Sequence, residues 1–206
     1  MQAIELLTTR SSMPRLIEPG PNAAQFQLLQ RAAARAPDHM ALMPYRFVVY
    51  KADARQRLGA IFRRAAEAKG LSDEACLQAS QLPLRAPMVI VCLLDYQPHD
   101  KVPRDEQFAS AACATLLMQQ ASFAQNLGAI WRTGWFAEDP QVLREIGGKS
   151  DDAIVGFLYV GTPAVPTPIK PDKDVAENSA TAKGIRIRGF SVPGGRGSRR
   201  ECWSCQ

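Results

Sequence analysis

Four short stretches of this chain carry polar side chains for which a packed core has no use. Arg10-Ser11-Ser12 sets a guanidinium beside two hydroxyls, Arg35 and His39 flank a Pro-Asp pair in "RAPDH", "KVPRDEQ" fills Lys101 to Gln107, and Trp131-Arg132-Thr133-Gly134 lines up an aromatic, a cation and a hydroxyl. An arginine next to hydroxyls suits a phosphate, because the guanidinium fork and the O–H donors both make charge-assisted hydrogen bonds to its oxygens. Each stretch also has a plainer reading. Arg10 to Ser12 can be a solvated helix end, Trp131-Arg132 a packed aromatic beside a surface arginine, and His39 a histidine hydrogen-bonded within its own turn. Taken singly, none of the four decides the matter.

Several chemistries lack their residues. His39 and His99 are the two histidines, and no H-x-x-x-H or paired C-x-x-C spacing occurs, so no metal site is expected. Cys202-Trp203-Ser204-Cys205 is a single pair near the C-terminus. No G-x-S-x-G elbow supports a serine hydrolase, and no G-x-G-x-x-G follows a strand to bind a dinucleotide. Cys76, Cys92 and Cys113 sit in apolar or helical contexts and read as reduced, buried small hydrophobes.

The elements that must position the four stretches follow from periodicity. The 206 residues, 46% hydrophobic and 22% charged, have the composition of an ordinary globular protein of one or two domains. Net charge is +5, but from Lys170 onward eight Lys/Arg face four Asp/Glu, which leaves the rest nearly balanced at seventeen against sixteen. No apolar signal core opens the chain and no run approaches a membrane span, so a cytoplasmic protein is expected. A short helix containing Ile4, Leu6 and Leu7 ends near Thr8 to Arg10. A second is capped by Asn22 and ends at Pro37, and a third runs from about Ala52 to Lys69 with Gly70 as its stop. Leu71 to Gln81 reads as another short helix. The longest runs from Arg104 to Leu127, is apolar around much of its circumference, and has Gly128 as its stop. Asp139 and Pro140 read as the N-cap and first turn of a last helix ending at Gly147. Strands are expected at Tyr45 to Tyr50, Met88 to Leu94, Ala129 to Thr133 and Ala153 to Val160, the second covered on both faces. Helices and strands alternate, giving a sheet of at least four strands wrapped by helices within residues 1–166, followed by a basic, flexible tail over 167–206.

Order along the chain then matters more than any single stretch. "AIELLTTRSS", "RAAARAPDHMALMPYRF", "KVPRDEQFASAACATLLMQQASFAQNLGAIWRTG" and "IVGFLYVGTP" in succession resemble the nitroreductase family of flavoproteins over about Met1 to Pro163. The likeness is greatest to its small branch and is carried chiefly by "RAPDH", "VPR.EQ" and "G.IWR.G".

The resemblance implies an α+β fold with a central sheet wrapped by helices, and a homodimer holding non-covalent FMN in two interfacial clefts. It implies that Arg10, Ser11 and Ser12 hold the flavin phosphate and one edge of the flavin. By the same resemblance, Arg35 and His39 reach that flavin from the partner subunit, and Trp131, Arg132 and Thr133 complete the phosphate side with Arg132 as second cation. A nicotinamide nucleotide contact is implied at Ala121, Ser122, Phe123, Ala124, Gln125 and Asn126. The implied activity is ping-pong hydride transfer from NAD(P)H through flavin N5 to a nitroaromatic, quinone or similar small-molecule acceptor, with no catalytic side chain. A phosphate dianion does call for arginines and hydroxyls, and the ring end for donors where charge develops on reduction. The Ala-rich long helix suits a close contact between subunits. Tyr45-Arg46 replaces a common Trp-His, Asp105 a common aromatic, and the tail a short aromatic strand. A non-catalytic flavin-binding protein on the same fold is the alternative function. Neither membrane nor nucleic acid is expected as a partner, the basic tail being the sole feature that would suit the latter.

Overall fold

The computed structural model describes residues 2–166 together with positions 170, 171, 175 and 178. The chain divides into two compact units, residues 1–170 and 171–206. The tail, with Cys202 and Cys205, lies outside the described residues apart from those isolated positions.

Among the described residues of the first unit are six α-helices and five strands. They are α1 (Ala3–Thr9), β1 (Leu16–Ile17), α2 (Ala23–Ala33), β2 (Tyr45–Lys51), α3 (Ala54–Ala68), α4 (Asp73–Gln81), β3 (Met88–Leu94), α5 (Arg104–Ala124), β4 (Gly128–Arg132), α6 (Pro140–Glu145) and β5 (Ala153–Pro163). All strand pairs are antiparallel. β5 is central to the sheet, pairing with β3, β4 and, at its C-terminal end, β1, while β2 pairs with the other side of β3.

β3 shows why the sheet is covered twice. All seven of its residues are buried. Val89, Val91 and Leu93 join Leu58, Phe62 and Val142 in one core, beneath α3, α4 and α6. Met88, Ile90, Cys92 and Leu94 join Leu29, Ala114 and Met118 in the other, beneath α2 and α5. The two-residue alternation of a strand sends consecutive side chains to opposite layers, so a continuous apolar run is what a doubly covered strand needs.

The local signals mostly place the ends. Asn22 accepts a hydrogen bond from Gln25 N at 2.9 Å, and Asp139 accepts from Gln141 N and Val142 N at 2.8 and 3.0 Å, with Pro140 in the first turn of α6. The stop of α5 differs from expectation. The helix ends at Ala124, and Asn126 takes the left-handed conformation at φ 60°, with Leu127 N donating to Ser122 O at 3.0 Å and Asn126 N to Phe123 O at 3.0 Å. That double bond pattern closes the helix at Asn126. Gly128 instead opens β4, where a Cβ would meet Leu16 and Met13. α2 ends at Ala33, ahead of Pro37, and β1 lacked any strand signal because only two residues pair.

One irregularity in β5 bears on the site. Register with β3 slips between Cys92 and Leu93, leaving Val155 as an extra residue, and the Val155 carbonyl accepts the Trp131 indole N–H at 3.2 Å. A Cβ at neighbouring Gly156 would run into the Trp131 indole and the Arg132 carbonyl.

Candidate functional site

β4 is the spine along which two of the four stretches sit. At its start, Met13 N donates to Ala129 O at 2.9 Å, tying the segment after α1 to the strand. This leaves Arg10, Ser11 and Ser12 between the end of α1 and the start of β4. Ser11 is 2% exposed, and both Ser11 Oγ and Arg10 Nη1 are buried without a hydrogen-bond partner among the described residues. Among the described residues they are the two such side-chain atoms. Buried donors are nearly always paired, and each unpaired one costs about 1–3 kcal/mol, more for a charged group. Two adjacent donors without a partner, one cationic, suit an anionic oxygen supplied from outside the chain. Beside them, Gln119 of α5 directs its amide at Ser12 Oγ and at Ala129 O, both at 3.4 Å. Gln119 ties Ser12 to β4, and the sequence signals it only as one of several polar residues on a largely apolar helix.

At the other end of β4 the three expected residues part company. Trp131 packs in the core beneath α5, while Ile130 packs in the opposite one, so alternation places Arg132 on the side away from α5. The Arg132 guanidinium lies 5.9 Å from the centroid of the Tyr159 ring. No hydrogen bond or ion pair among the described residues joins it to residues 10–12. Thr133 is exposed and, with Gly134 at φ 65°, borders a cleft of about 480 Å³ that Phe108, Asp139, Asp152 and Val155 also line.

The remaining stretches gather at the start of α5. His39 Nδ1 lies 2.9 Å from Glu106 Oε1, and Arg35 is exposed at the end of α2. Met40, Ala41 and Met43 have φ of 64°, 53° and 47°, and the Asp38 carboxylate holds this strained loop by accepting from Leu42 N and Met43 N. Thirteen residues of α5 separate Glu106 from Gln119, which at 1.5 Å per residue is about 20 Å. A single chain therefore keeps Arg35 and His39 apart from Arg10 to Ser12. Gln107, buried in the same first turns, donates to Gln97 O and Val102 O at 2.7 and 3.0 Å and accepts from Gln97 N. The "VPR.EQ" stretch thus folds its own preceding loop, and Asp105 is exposed on the first turn.

Residues 121–126 form the last turn of α5 and its cap. The Ser122 hydroxyl donates to Met118 O, and the Gln125 amide to Ala121 O and Gln25 O, while Ala124 and Asn126 are exposed. A buried carboxylate escaped the sequence altogether. Asp152 accepts from Tyr96 N and Lys149 N at 3.1 and 2.9 Å and lies 3.8 Å from Arg46 Nη2, which also donates to Gly147 O at 2.8 Å. Arg46 is accordingly held at its tip by α6's end and Asp152. Burial pushes the Cys92 thiol and the Tyr159 hydroxyl each up to about 12, so both stay protonated near neutral pH.

The comparisons with known proteins agree with this architecture. A family model described as the nitroreductase family matches residues 17–162. "Putative NAD(P)H nitroreductase YdjA" of Escherichia coli K12 is 44% identical over 163 residues, 79% of this chain and 89% of that protein. "Putative NAD(P)H nitroreductase" of Haemophilus influenzae is 36% identical over the same spans. Among solved structures, a nitroreductase-like family protein from Bacillus cereus superimposes with a TM-score of 0.77 at 20% identity, covering 89% of this chain and 97% of that one. A nitroreductase with bound FMN from Bacteroides fragilis does so with a TM-score of 0.62 at 19% identity, covering 91% and 98%. With an antiparallel α+β core of this topology and relatives of this closeness, the chain belongs to the nitroreductase family.

Proposed function

We propose that this protein is an FMN-dependent NAD(P)H oxidoreductase that reduces nitroaromatics, quinones or related small acceptors. The observation that carries the reading is the pair of buried atoms without partners, Arg10 Nη1 and Ser11 Oγ, which fit a phosphate group at the start of β4. The names of the Escherichia coli and Haemophilus influenzae relatives support the activity, and the FMN bound in the Bacteroides fragilis structure supports the cofactor.

In this reading residues 1–166 form the cofactor-binding domain. Arg10 and Ser11 bind the phosphate, and Ser12, oriented by Gln119, borders the same cradle. Trp131 and Thr133 flank the cofactor at the end of β4, and Arg132 contributes by its main chain, because its guanidinium faces the other side of the strand. Arg35 and His39 reach the site from the partner subunit of a homodimer, which accounts for their distance from Arg10 within one chain. Ala124 and Asn126 are the exposed positions at which a nicotinamide nucleotide contacts the end of α5. FMN, when bound, supplies the capacity to take hydride from NAD(P)H and pass it to an acceptor. The protein's part is to bind, orient and keep water from the reacting face, and a cytoplasmic location supplies the reductant.

Visible absorption of the purified protein, repeated on the supernatant after heat denaturation, tests the cofactor. Released FMN near one per chain is expected. A protein that is colourless and takes up no added FMN would overturn the reading. Rapid mixing with NADH and with NADPH then tests turnover, and flavin that neither bleaches leaves a flavin-binding protein without reductase activity.

A further inference from the structure

On the face of β4 away from α5 a groove runs between the strand and the turn that follows α4. Its wider part, about 430 Å³, is lined by Arg85, Arg132, Trp135, Phe136 and Tyr159 among others. A narrower part of about 210 Å³ shares Arg85, Trp135 and Phe136 and continues along α4. The combined volume falls in the range of small-molecule sites.

Among the described residues, the charge in this groove is of one sign, and none lining either part is acidic. Neither the Arg85 nor the Arg132 side chain has an ion pair or hydrogen bond among the described residues. Lys69 Nζ adds a third cation at the rim, 4.4 Å from the centroid of a Trp135 ring. Both arginines pull on the Tyr159 hydroxyl, which burial nevertheless keeps protonated and able to donate. Like charges gathered in a concave site without a counter-charge make a positive potential that an anion relieves. The walls are flat and aromatic, with Trp135 and Phe136 stacked at 3.9 Å and Phe136 stacked in turn on Phe62 at 4.3 Å. Phe136 is stacked on both Trp135 and Phe62, so contact with a planar ring falls to Trp135, and a guanidinium fork matches a carboxylate in two parallel hydrogen bonds.

We propose that this groove is a binding site for an aromatic carboxylate, with the carboxylate held by Arg85 and Arg132 and the ring laid against Trp135. Arg10 and Ser11 do not line this groove, whose wider part shares Trp131 and Thr133 with the residues that the flavin reading sets beside the cofactor; the proposal rests on Arg85 and Arg132 and not on that reading.

Isothermal titration calorimetry of the full chain with benzoate tests it. Benzyl alcohol serves as the neutral counterpart and inorganic phosphate as the anion without a ring. Benzoate is expected to saturate one site per chain, with benzyl alcohol and phosphate each weaker by about tenfold or more. Arg85→Ala, and equally Arg85→Gln, is expected to weaken benzoate by about tenfold or more, while Arg85→Lys keeps part of the affinity. A flat titration, phosphate bound as tightly as benzoate, or benzoate bound undiminished by both Arg85→Ala and Arg85→Gln would overturn the proposal, the last placing benzoate elsewhere. FMN content read by absorbance on the same samples keeps this outcome apart from a failure of the flavin reading.

Discussion

Arg10 and Ser11 are inserted in the fold with atoms that no described residue pairs, so changing them is expected to affect a ligand before it affects the fold. Arg10→Ala is expected to weaken FMN binding about 10- to 100-fold, the size of a lost charge-assisted hydrogen bond, without lowering the melting temperature of the ligand-free protein. A fluorescence titration with FMN beside a thermal scan reads both. Asp152 is the opposite case. Its carboxylate answers the main-chain N–H groups of Tyr96 and Lys149, and Asp152→Ala is expected to cost about 3 kcal/mol of stability, measured by urea unfolding. Cys92, buried and pushed up to about 12, is expected to stay unlabelled by iodoacetamide at pH 8 in the native state, as mapped by mass spectrometry. The difference between these residues explains what the sequence discloses. Arg10-Ser11-Ser12 is a run of functional groups too polar for its apolar neighbours and is visible as such. Asp152 looks like any surface aspartate until Tyr96 and Lys149 fold against it, and the facing of Arg132 depends on which layer covers each side of β4.

The elements were legible wherever one local signal sufficed. Caps at Asn22 and Asp139, and the continuous apolar run of β3, depend on neighbours a few residues away. The end of α5 is not legible locally because two stop residues, Asn126 and Gly128, stand two positions apart, and only the backbone path shows which one is left-handed. Asn126→Ala is accordingly expected to destabilise by about 1 kcal/mol and Asn126→Gly to be nearly neutral, by chemical denaturation. At the bulge in β5, Gly156→Ala forces methyl against indole and is expected to cost about 1–3 kcal/mol and to shift the emission of Trp131. α3 and α6 are joined by the Arg64–Glu145 ion pair, and hydrogen bonding from Arg64 holds the Glu145 carboxyl below its ordinary range. Because the folded form is the more acidic, this stabilisation is present above the unfolded carboxyl's pKa of about 4.3 and is lost as pH falls through the lowered value. The melting-temperature gap between the parent and Arg64→Ala should therefore close as pH drops below about 4.

At the scale of the molecule, the separation of His39 from Ser12 along α5 gives the proposed dimer a direct test. Dimers made by mixing Arg10→Ala chains with Arg35→Ala chains hold one site with both arginines intact and one with neither, if each site draws on both subunits. Refolding the two variants together is then expected to restore about one FMN per mixed dimer, whereas sites confined to single chains would gain nothing. The pair of unpaired donors at Arg10 and Ser11 has a further consequence, in the life of the protein inside a cell. A ligand that binds only the folded chain stabilises it by an amount that grows with its free concentration, about 2.7 kcal/mol at a hundred times its dissociation constant. With FMN as that ligand, as proposed, vitamin supply and protein turnover are expected to be coupled. Chains synthesised when flavin is scarce open more often and meet proteases sooner, so the abundance of this protein is expected to follow the cell's riboflavin status even at constant synthesis.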